Sequence, residues 1–173
     1  MKLESIQMMV VAMDQENAEY IMQNREIVRT FQRAAEYLRE GNRVVAAYAF
    51  GEAKRKVEEF RRFYLTPANI RVGDGVTVNL WSDRYAATVI KVTKSSVTVR
   101  RDKATLNPDF KPEWIPGGFA AHCTNQDEQT YTYEPDENGT EYTFRWSRKY
   151  QRYGQPGNLT LSKGRHEFYD YNF

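Results

Sequence analysis

A chain of 173 residues, 40% hydrophobic and 14% aromatic, can bury a core and has room for one medium domain or two small ones. Its 25 basic and 23 acidic residues leave a formal net charge of +2, which excludes a strong overall field for nucleic acid or membrane and a wholesale acidic mimic of DNA, but not a local patch. A lone cysteine, Cys123, excludes a disulfide framework within the chain.

The opening MKLESIQMMVVAMDQEN carries early charges and a short apolar run with no small-residue cleavage site, so it reads as an amphipathic helix, not a signal peptide. No stretch approaches the ~20 apolar residues of a membrane span. The expectation is a soluble, cytoplasmic protein with no membrane contact. Leu3, Ile6, Val10 and Met13 form one apolar stripe at spacings of three and four. Asp14 or Asn17 is placed to cap a second helix, on which Ile21, Val28, Phe31, Ala35 and Leu38 share a face flanked by Tyr20 and Ile27. Gly41-Asn42 ends it. A third helix aligns Ala46, Phe50, Ala53, Val57, Phe60 and Tyr64, with Lys54, Arg55, Glu58, Glu59, Arg61 and Arg62 on its other faces. The last two helices pack antiparallel as a hairpin. The stripes read first as helix–helix core; the alternative is a homodimer or partner-docking surface. The stretch AAEYLREGNRVVAAYAFGEA resembles one helical repeat of the tetratricopeptide kind, but one unit alone builds no solenoid.

Thr66-Pro67-Ala68-Asn69 breaks the helical pattern, and the period then changes to two. In IRVGDGVTVNLWSDRYAATVIKVTKSSVTVRRDKA three strands carry Val76 and Val78, then Ala87, Val89 and Val92 with Ile90 opposite, then Val97 and Val99. The turns are Gly73-Asp74-Gly75, Ser82-Asp83-Arg84 and Lys94-Ser95-Ser96, which makes a meander opening a small barrel. Residues 106–130 read as an irregular insertion, with LNPDFKPEWIPGG at its start. YTYEP and EYTFRW flank Asp136-Glu137-Asn138-Gly139, a hairpin turn in which Asn-Gly takes positive φ. YGQPGN is a second turn before the strand LTLS. The closing GRHEFYDYNF reads as a final strand that shuts the barrel. Phe168, Asp170 and Asn172 face one way, Glu167, Tyr169, Tyr171 and Phe173 the other; the aromatics enter the core, and Arg165 pairs with Glu167 or Asp170. The charges around His166 then either form a buried network or rim a site. The fold class is α+β: an N-terminal helical hairpin or bundle over 1–65, then a small antiparallel β-barrel or curved sheet over 66–173.

The residues point to no cofactor and no metal. His122, His166 and Cys123 lack CxxC, HxH or HExxH spacing, and adjacent His122 and Cys123 face opposite sides of a strand. No nucleophile elbow is present, and Gly73, Gly75, Gly117 and Gly118 form no phosphate loop. Pro108-Asp109 and Pro135-Asp136 are not followed by a Glu-x-Lys strand. The reading is therefore a protein that is not an enzyme, the alternative being a small hydrolase or nucleotide binder on His122, His166, Glu167 and Asp170. Charge is more informative. Asp127, Glu128, Glu134, Asp136, Glu137 and Glu141 precede a basic run of Arg145, Arg148, Lys149 and Arg152. Lys91, Lys94, Arg100, Arg101 and Lys103 form a second run. A solvated, salt-bridged surface is one reading. A binding face is the other, drawn from Trp81, Arg84, Arg100, Arg101 and Lys103, from Arg145, Arg148, Lys149, Arg152 and Tyr153, and from Arg165 and His166. Cations interleaved with Tyr150, Tyr153, Trp81 and Trp146 suit phosphate contact with base stacking, or the hot spots of a protein partner.

Two resemblances add to this. VGDGVTV, ATVIKV and SVTVR resemble the successive strands of small barrels of the Src-homology-3, Tudor and KOW kind. WSDRYAATVI, RRDKAT, PGGFAAHCTNQDEQTYTYEPDENG and GRHEFYDYNF, spanning Val72 to Phe173, resemble small proteins carried by bacteriophages and other bacterial mobile elements. That resemblance implies no catalytic residue. It implies a setting in the bacterial cytoplasm and a class of partner: a host protein such as a nucleic-acid enzyme of bacterial defence, met as anti-CRISPR proteins meet theirs, or nucleic acid itself.

Overall fold

A computed structural model describes residues 3–117 and 120–172. Within the PGGFAAH insertion Gly118, Phe119 and the side chain of Ala120 lie outside the described residues, as does Phe173. The chain forms two units, Met1–Asn69 and Ile70–Phe173. Thr66 and Asn69 are bonded into the first: Thr66 Oγ1 donates to Asn17 Oδ1 at 2.7 Å and Asn69 Nδ2 to the Tyr64 carbonyl at 2.9 Å.

Among the described residues the first unit has four helices: α1 Leu3–Met13, α2 Ala18–Gln23, α3 Arg25–Arg39 and α4 Arg43–Phe63. The single second helix anticipated from the sequence is two. Asn24 takes an extended backbone, and its side-chain oxygen accepts the Glu26 and Ile27 N–H groups, so it ends α2 and caps α3. A short amide that bonds to nearby backbone competes with the helix ladder, which explains the break. The break also resets the helical phase: Ala34 is buried and Leu38 is exposed, the reverse of the single-helix stripe. Asn17 makes no side-chain cap on α2; Asp14 accepts its backbone and side-chain N–H groups instead. Gly41 at φ +82 closes α3, and Asn42 caps α4 by accepting Val45 N–H. Ile6, Val10, Ile21, Ile27, Phe31, Ala53, Val57 and Phe60 close one core. Tyr64 stays exposed, stacked on Phe60.

In the second unit, among the described residues, ten strands follow: β1 Gly75–Asn79, β2 Arg84–Val92, β3 Ser96–Arg101, β4 Lys103–Leu106, β5 Trp114–Gly117, β6 Ala120–Cys123, β7 Tyr131–Glu134, β8 Glu141–Ser147, β9 Arg152–Gly154 and β10 Thr160–Lys163. Six of them close an antiparallel barrel in the order β1-β10-β9-β8-β3-β2. Val76, Val78, Ala87, Val89, Val97, Val99, Phe144, Tyr153 and Leu161 fill it. Val89 pairs Val99 and Val92 pairs Val97 because a bulge between Val89 and Lys91 shifts the register. Without that extra residue the strand's period of two would turn Val92 outward.

Three sequence expectations are corrected here. The insertion is irregular only in part: residues 107–113 carry no helix or strand, but β5 and β6 pair antiparallel and a 3₁₀ turn at Gln126–Glu128 follows. Pro116 sits in this two-stranded ribbon, where its missing N–H is tolerated. Next, β7 and β8 do not form a hairpin: β7 pairs with β4 and β8 with β3 and β9. Asn138-Gly139 therefore joins two sheets, without positive φ. Gly139 is required for another reason, since a Cβ there would collide with the Arg101 carbonyl.

Finally, the tail is not the closing strand. That strand is β10, and beyond it, among the described residues, the one isolated bridge is Phe168 to Arg84. Side-chain amides replace the ladder. Gln129 takes the Tyr169 N–H and donates to its carbonyl, and Asn172 does the same for Cys123. Phe168, Tyr169 and Tyr171 are not buried in the barrel core. Tyr171 packs on Phe110, Trp114 and Tyr169 outside it. The tail crosses the ends of several elements instead of running along one, so a ladder has no continuous partner.

Candidate functional site

Apart from Arg84 and His166, the candidate basic residues separate into two groups by whether a carboxylate meets them. In the first group every cation does structural duty. Arg165 Nε donates to Asp102 Oδ2 at 2.7 Å, with Asp102 2% exposed, and Arg165 Nη2 donates to Thr88 Oγ1 at 2.8 Å. Thr88 Oγ1 in turn donates to Asp102 Oδ1. The arginine passes over Gly75, where a Cβ would lie 2.5 Å from its Nη1. Glu167 is buried, accepting Ala86 N–H at 2.7 Å on one oxygen and Arg101 Nη2 at 2.8 Å on the other. The Arg101 guanidinium lies 3.6 Å from the Tyr85 ring centroid. Arg100 meets Glu141 at 2.9 Å and Lys103 meets Glu134 at 3.8 Å, both at the surface. Arg84 stacks over Phe168. The terminal cluster is thus not one buried network: Glu167 is buried, while Arg165 and His166 stay exposed, and Arg165 pairs with the buried Asp102, not with Glu167 or Asp170.

Arg101 and Arg165 therefore serve the fold while their side chains stay 38% and 33% exposed. Tyr153 is corrected as a member of a binding face: it is 1% exposed and belongs to the barrel core, edge-on to Trp146. Substituting Arg101 or Tyr153 would perturb the fold as well as any partner contact. Nearby, Tyr131 Oη donates to Gln129 Oε1 at 2.6 Å. Burial pushes its phenol up to about 12, with the negative charges of Tyr171 and Glu167 adding to the rise.

The second group is the run Arg145, Arg148, Lys149 and Arg152. In the register of β8 and β9, Arg145 pairs Gly154 and Ser147 pairs Arg152. Directly paired residues share a face, so Arg145 and Arg152 both point outward while Phe144 and Tyr153 point in. Bare Gly154 beside Arg145 leaves a hollow of about 460 Å³. Arg145, Trp146, Tyr150 and Arg152 line one side, and Pro156 and Leu159 of the β9–β10 turn the other. Gln151 at φ +49 tightens the β8–β9 turn, Ser147 Oγ accepts Tyr150 N–H, and Gln151 Nε2 donates to the Arg148 carbonyl. Tyr150 is 61% exposed, with Lys149 Nζ 5.0 Å and Arg152 Cζ 5.5 Å from its ring centroid. Among the described residues, none of these four cations has a carboxylate at ion-pair distance.

The remaining candidates do not line the hollow. Trp81 stands in the β1–β2 turn, 84% exposed. His122 is exposed on β6 with Cys123 buried beside it, the opposed facing expected of a strand, and His166 is exposed in the tail. Asp170 holds its own N–H on Asp83 and accepts Asn172 N–H. Of the residues weighed as a hydrolytic set, Glu167 already accepts from two donors, Ala86 N–H and Arg101 Nη2. Among the described residues no group of three or more His, Cys, Asp or Glu converges as a metal site. No described helix is long and apolar enough to cross a membrane.

Sequence reasoning missed Asp102, Thr88 and Gly75 in the network. One signal was present: Asp102 is a lone acid inside the basic RRDK. It also missed Pro156 and Leu159 as a wall of the hollow, for which only YGQPGN as a turn was visible. The fold and site together define a small closed β-barrel with a basic, aromatic hollow on its outer wall. No family model, curated protein or solved structure matches the chain.

Proposed function

We propose that this is a non-enzymatic binding protein whose barrel presents the β8–β10 hollow to single-stranded nucleic acid. The observation that carries the reading is Arg145, Arg148, Lys149 and Arg152, unmatched by carboxylates, around an exposed Tyr150. Cations tracking a backbone beside a ring that stacks a base are what sequence-tolerant single-strand binding requires. A second reading keeps the same face but sets it against an acidic patch on a host protein, such as a nucleic-acid enzyme of bacterial defence. Exposed Trp81, a residue type enriched at protein interfaces, supports it, as does a net charge of only +2. The resemblance to proteins of phages and mobile elements supplies the setting for both, the cytoplasm of a bacterial host.

Fluorescence anisotropy of a labelled oligothymidine, titrated at several salt concentrations, separates the two. On the first reading log affinity falls with log salt at a slope of about −2 to −3, as expected for three or four phosphates on a single strand. Arg152→Glu and Tyr150→Ala each weaken binding by about tenfold. No binding at low salt removes the first reading. The second is then tested by protein capture that must depend on both Arg152 and Trp81.

A further inference from the structure

Gly154 closes β9, and its backbone does not demand a glycine. Its φ is not in the left-handed region, and a Cβ there would meet only the Leu159 carbonyl, at an ordinary 3.6 Å. A glycine weakens a strand and often marks a place where a ligand comes close to the backbone. Gly154 is also part of the hollow, and its cross-strand neighbours flank it there. Arg145 on β8 and Thr160 on β10 are both paired with Gly154, so the three share the outward face in one row. Arg152 stands diagonally to Arg145, two residues along β9 from Gly154, the two side chains rooted about 7–8 Å apart. Long side chains on such roots reach a common point, and both arginines line the hollow. Thr160 lines it too, and its Oγ1 accepts from Asn79 Nδ2 at 3.4 Å, which leaves its own hydrogen to donate. No carboxylate is among the described residues that line this space.

We infer that the hollow is an end-binding site: it takes one terminal nucleotide of a single strand, with the terminal phosphate on Arg145, Arg152 and Thr160 and the base beside Tyr150. The inference rests on the reading of this face as a single-strand site and names the part of the strand that enters it. Donor number selects the end. An internal phosphodiester offers two free oxygens and one charge. A terminal phosphomonoester offers three oxygens and a charge of about −1.5 to −2. Two arginine forks and a hydroxyl present more donors than two oxygens take in good geometry, and they suit three. The size agrees. A volume of about 460 Å³ lies low in the range of small-ligand sites, about 300–1,000 Å³, which is room for one nucleotide and not for the run of about four or more held by an extended groove. Arg152 Cζ lies 5.5 Å from the Tyr150 ring centroid, so a phosphate held on Arg152 brings its own base beside that ring. Arg148 and Lys149 of the β8–β9 turn do not line the hollow, and they are left for the phosphates that follow.

Competition against a labelled oligothymidine on the full chain, read by fluorescence anisotropy, tests this. The unlabelled competitors are one short oligothymidine carrying a 5′-phosphate, a 3′-phosphate, or hydroxyls at both ends. One phosphorylated competitor binds about tenfold or more tighter than the hydroxyl-ended strand, and it identifies the end that enters. Gly154→Val fills the floor of the hollow and brings the three competitors to one affinity, while the melting temperature holds because a β-branched residue suits a strand. Should that variant unfold, Arg145→Gln and Thr160→Val decide, since each lowers the ratio between phosphorylated and hydroxyl-ended strands. Competitors of equal affinity for the wild type overturn the inference and leave the single-strand reading standing. A probe that does not bind at low salt removes both. A ratio undiminished in Arg145→Gln and Thr160→Val also overturns the inference, because the end is then held elsewhere. So does a phosphotyrosyl peptide that competes as well as the phosphorylated strand, because the ring and the cations then serve a protein partner.

Discussion

The C-terminal tail and the β8–β9 turn have nearly the same chemistry, arginines beside tyrosines, and opposite roles. In the tail Arg165 rests on a nearly inaccessible Asp102, and Arg101 lies between Glu167 and the Tyr85 ring. Around the turn Lys149 and Arg152 flank a ring too, but nothing in the described chain neutralises them. A cation matched inside the fold stabilises the fold, and removing it strands a buried carboxylate away from water. A cation left unmatched contributes little to stability and remains available to an anion from outside. Residue type and aromatic neighbours alike fail to separate these cases; the position of the nearest carboxylate does.

The comparison is sharpest at Glu167. Glu167→Ala leaves Ala86 N–H without its acceptor and Arg101 without its counter-charge, and is expected to destabilise the second unit by about 2–4 kcal/mol. Urea denaturation followed through Trp81, Trp114 and Trp146, all in that unit, measures it. A loss below about 1 kcal/mol would mean that the network is no stronger than an ordinary surface pair. A smaller effect comes from the phenol of Tyr131. Below an ordinary tyrosine value of about 10 both folded and unfolded chains keep that proton. As pH rises from there to about 12 the unfolded phenol ionises first, so the folded unit loses stability across that window. Tyr131→Phe removes this component of the alkaline loss; denaturation midpoints on either side of the window show whether it does. The smallest effect belongs to the other half of the comparison. Arg145→Ser and Arg152→Ser are each expected to shift stability by no more than about 0.5 kcal/mol, since they break no internal pair. A larger loss in the same urea experiment would place these cations in the fold and withdraw them from the hollow.

Much of the barrel was legible in the residues. Alternating Val76 and Val78, and Val97 and Val99, face inward as a period of two requires, and the turns between the first three strands fall where Gly, Asp and Ser cluster. The helix stripes led to Val10, Phe31, Val57 and Phe60 for the same reason at the helical period. What was not legible depends on residues far apart in the chain. Tyr133 and Glu141 flank a good turn, yet their strands pair elsewhere, because β4 and β3 offer longer-range partners. Asn24 reads as one more polar position on a helix until its side chain is seen bonding ahead to Glu26 and Ile27. Within the site, the basic run 145–152 was visible as charge. Its shape was not, since the hollow exists only where Gly154 pairs with Arg145 and the β9–β10 turn rises beside them.

By itself the sequence determined the local grammar: helices with apolar stripes, then strands of alternating facing, then a basic run and an aromatic tail. Those follow from side-chain periodicity and backbone preference, which act over a few residues. Only the tertiary structure decided which charges meet. Ion pairing depends on distances between Arg165 and Asp102 or Arg101 and Glu167, more than sixty residues apart, and no local rule sets them. That placement is what turned one set of arginines into fastenings and left the other set open.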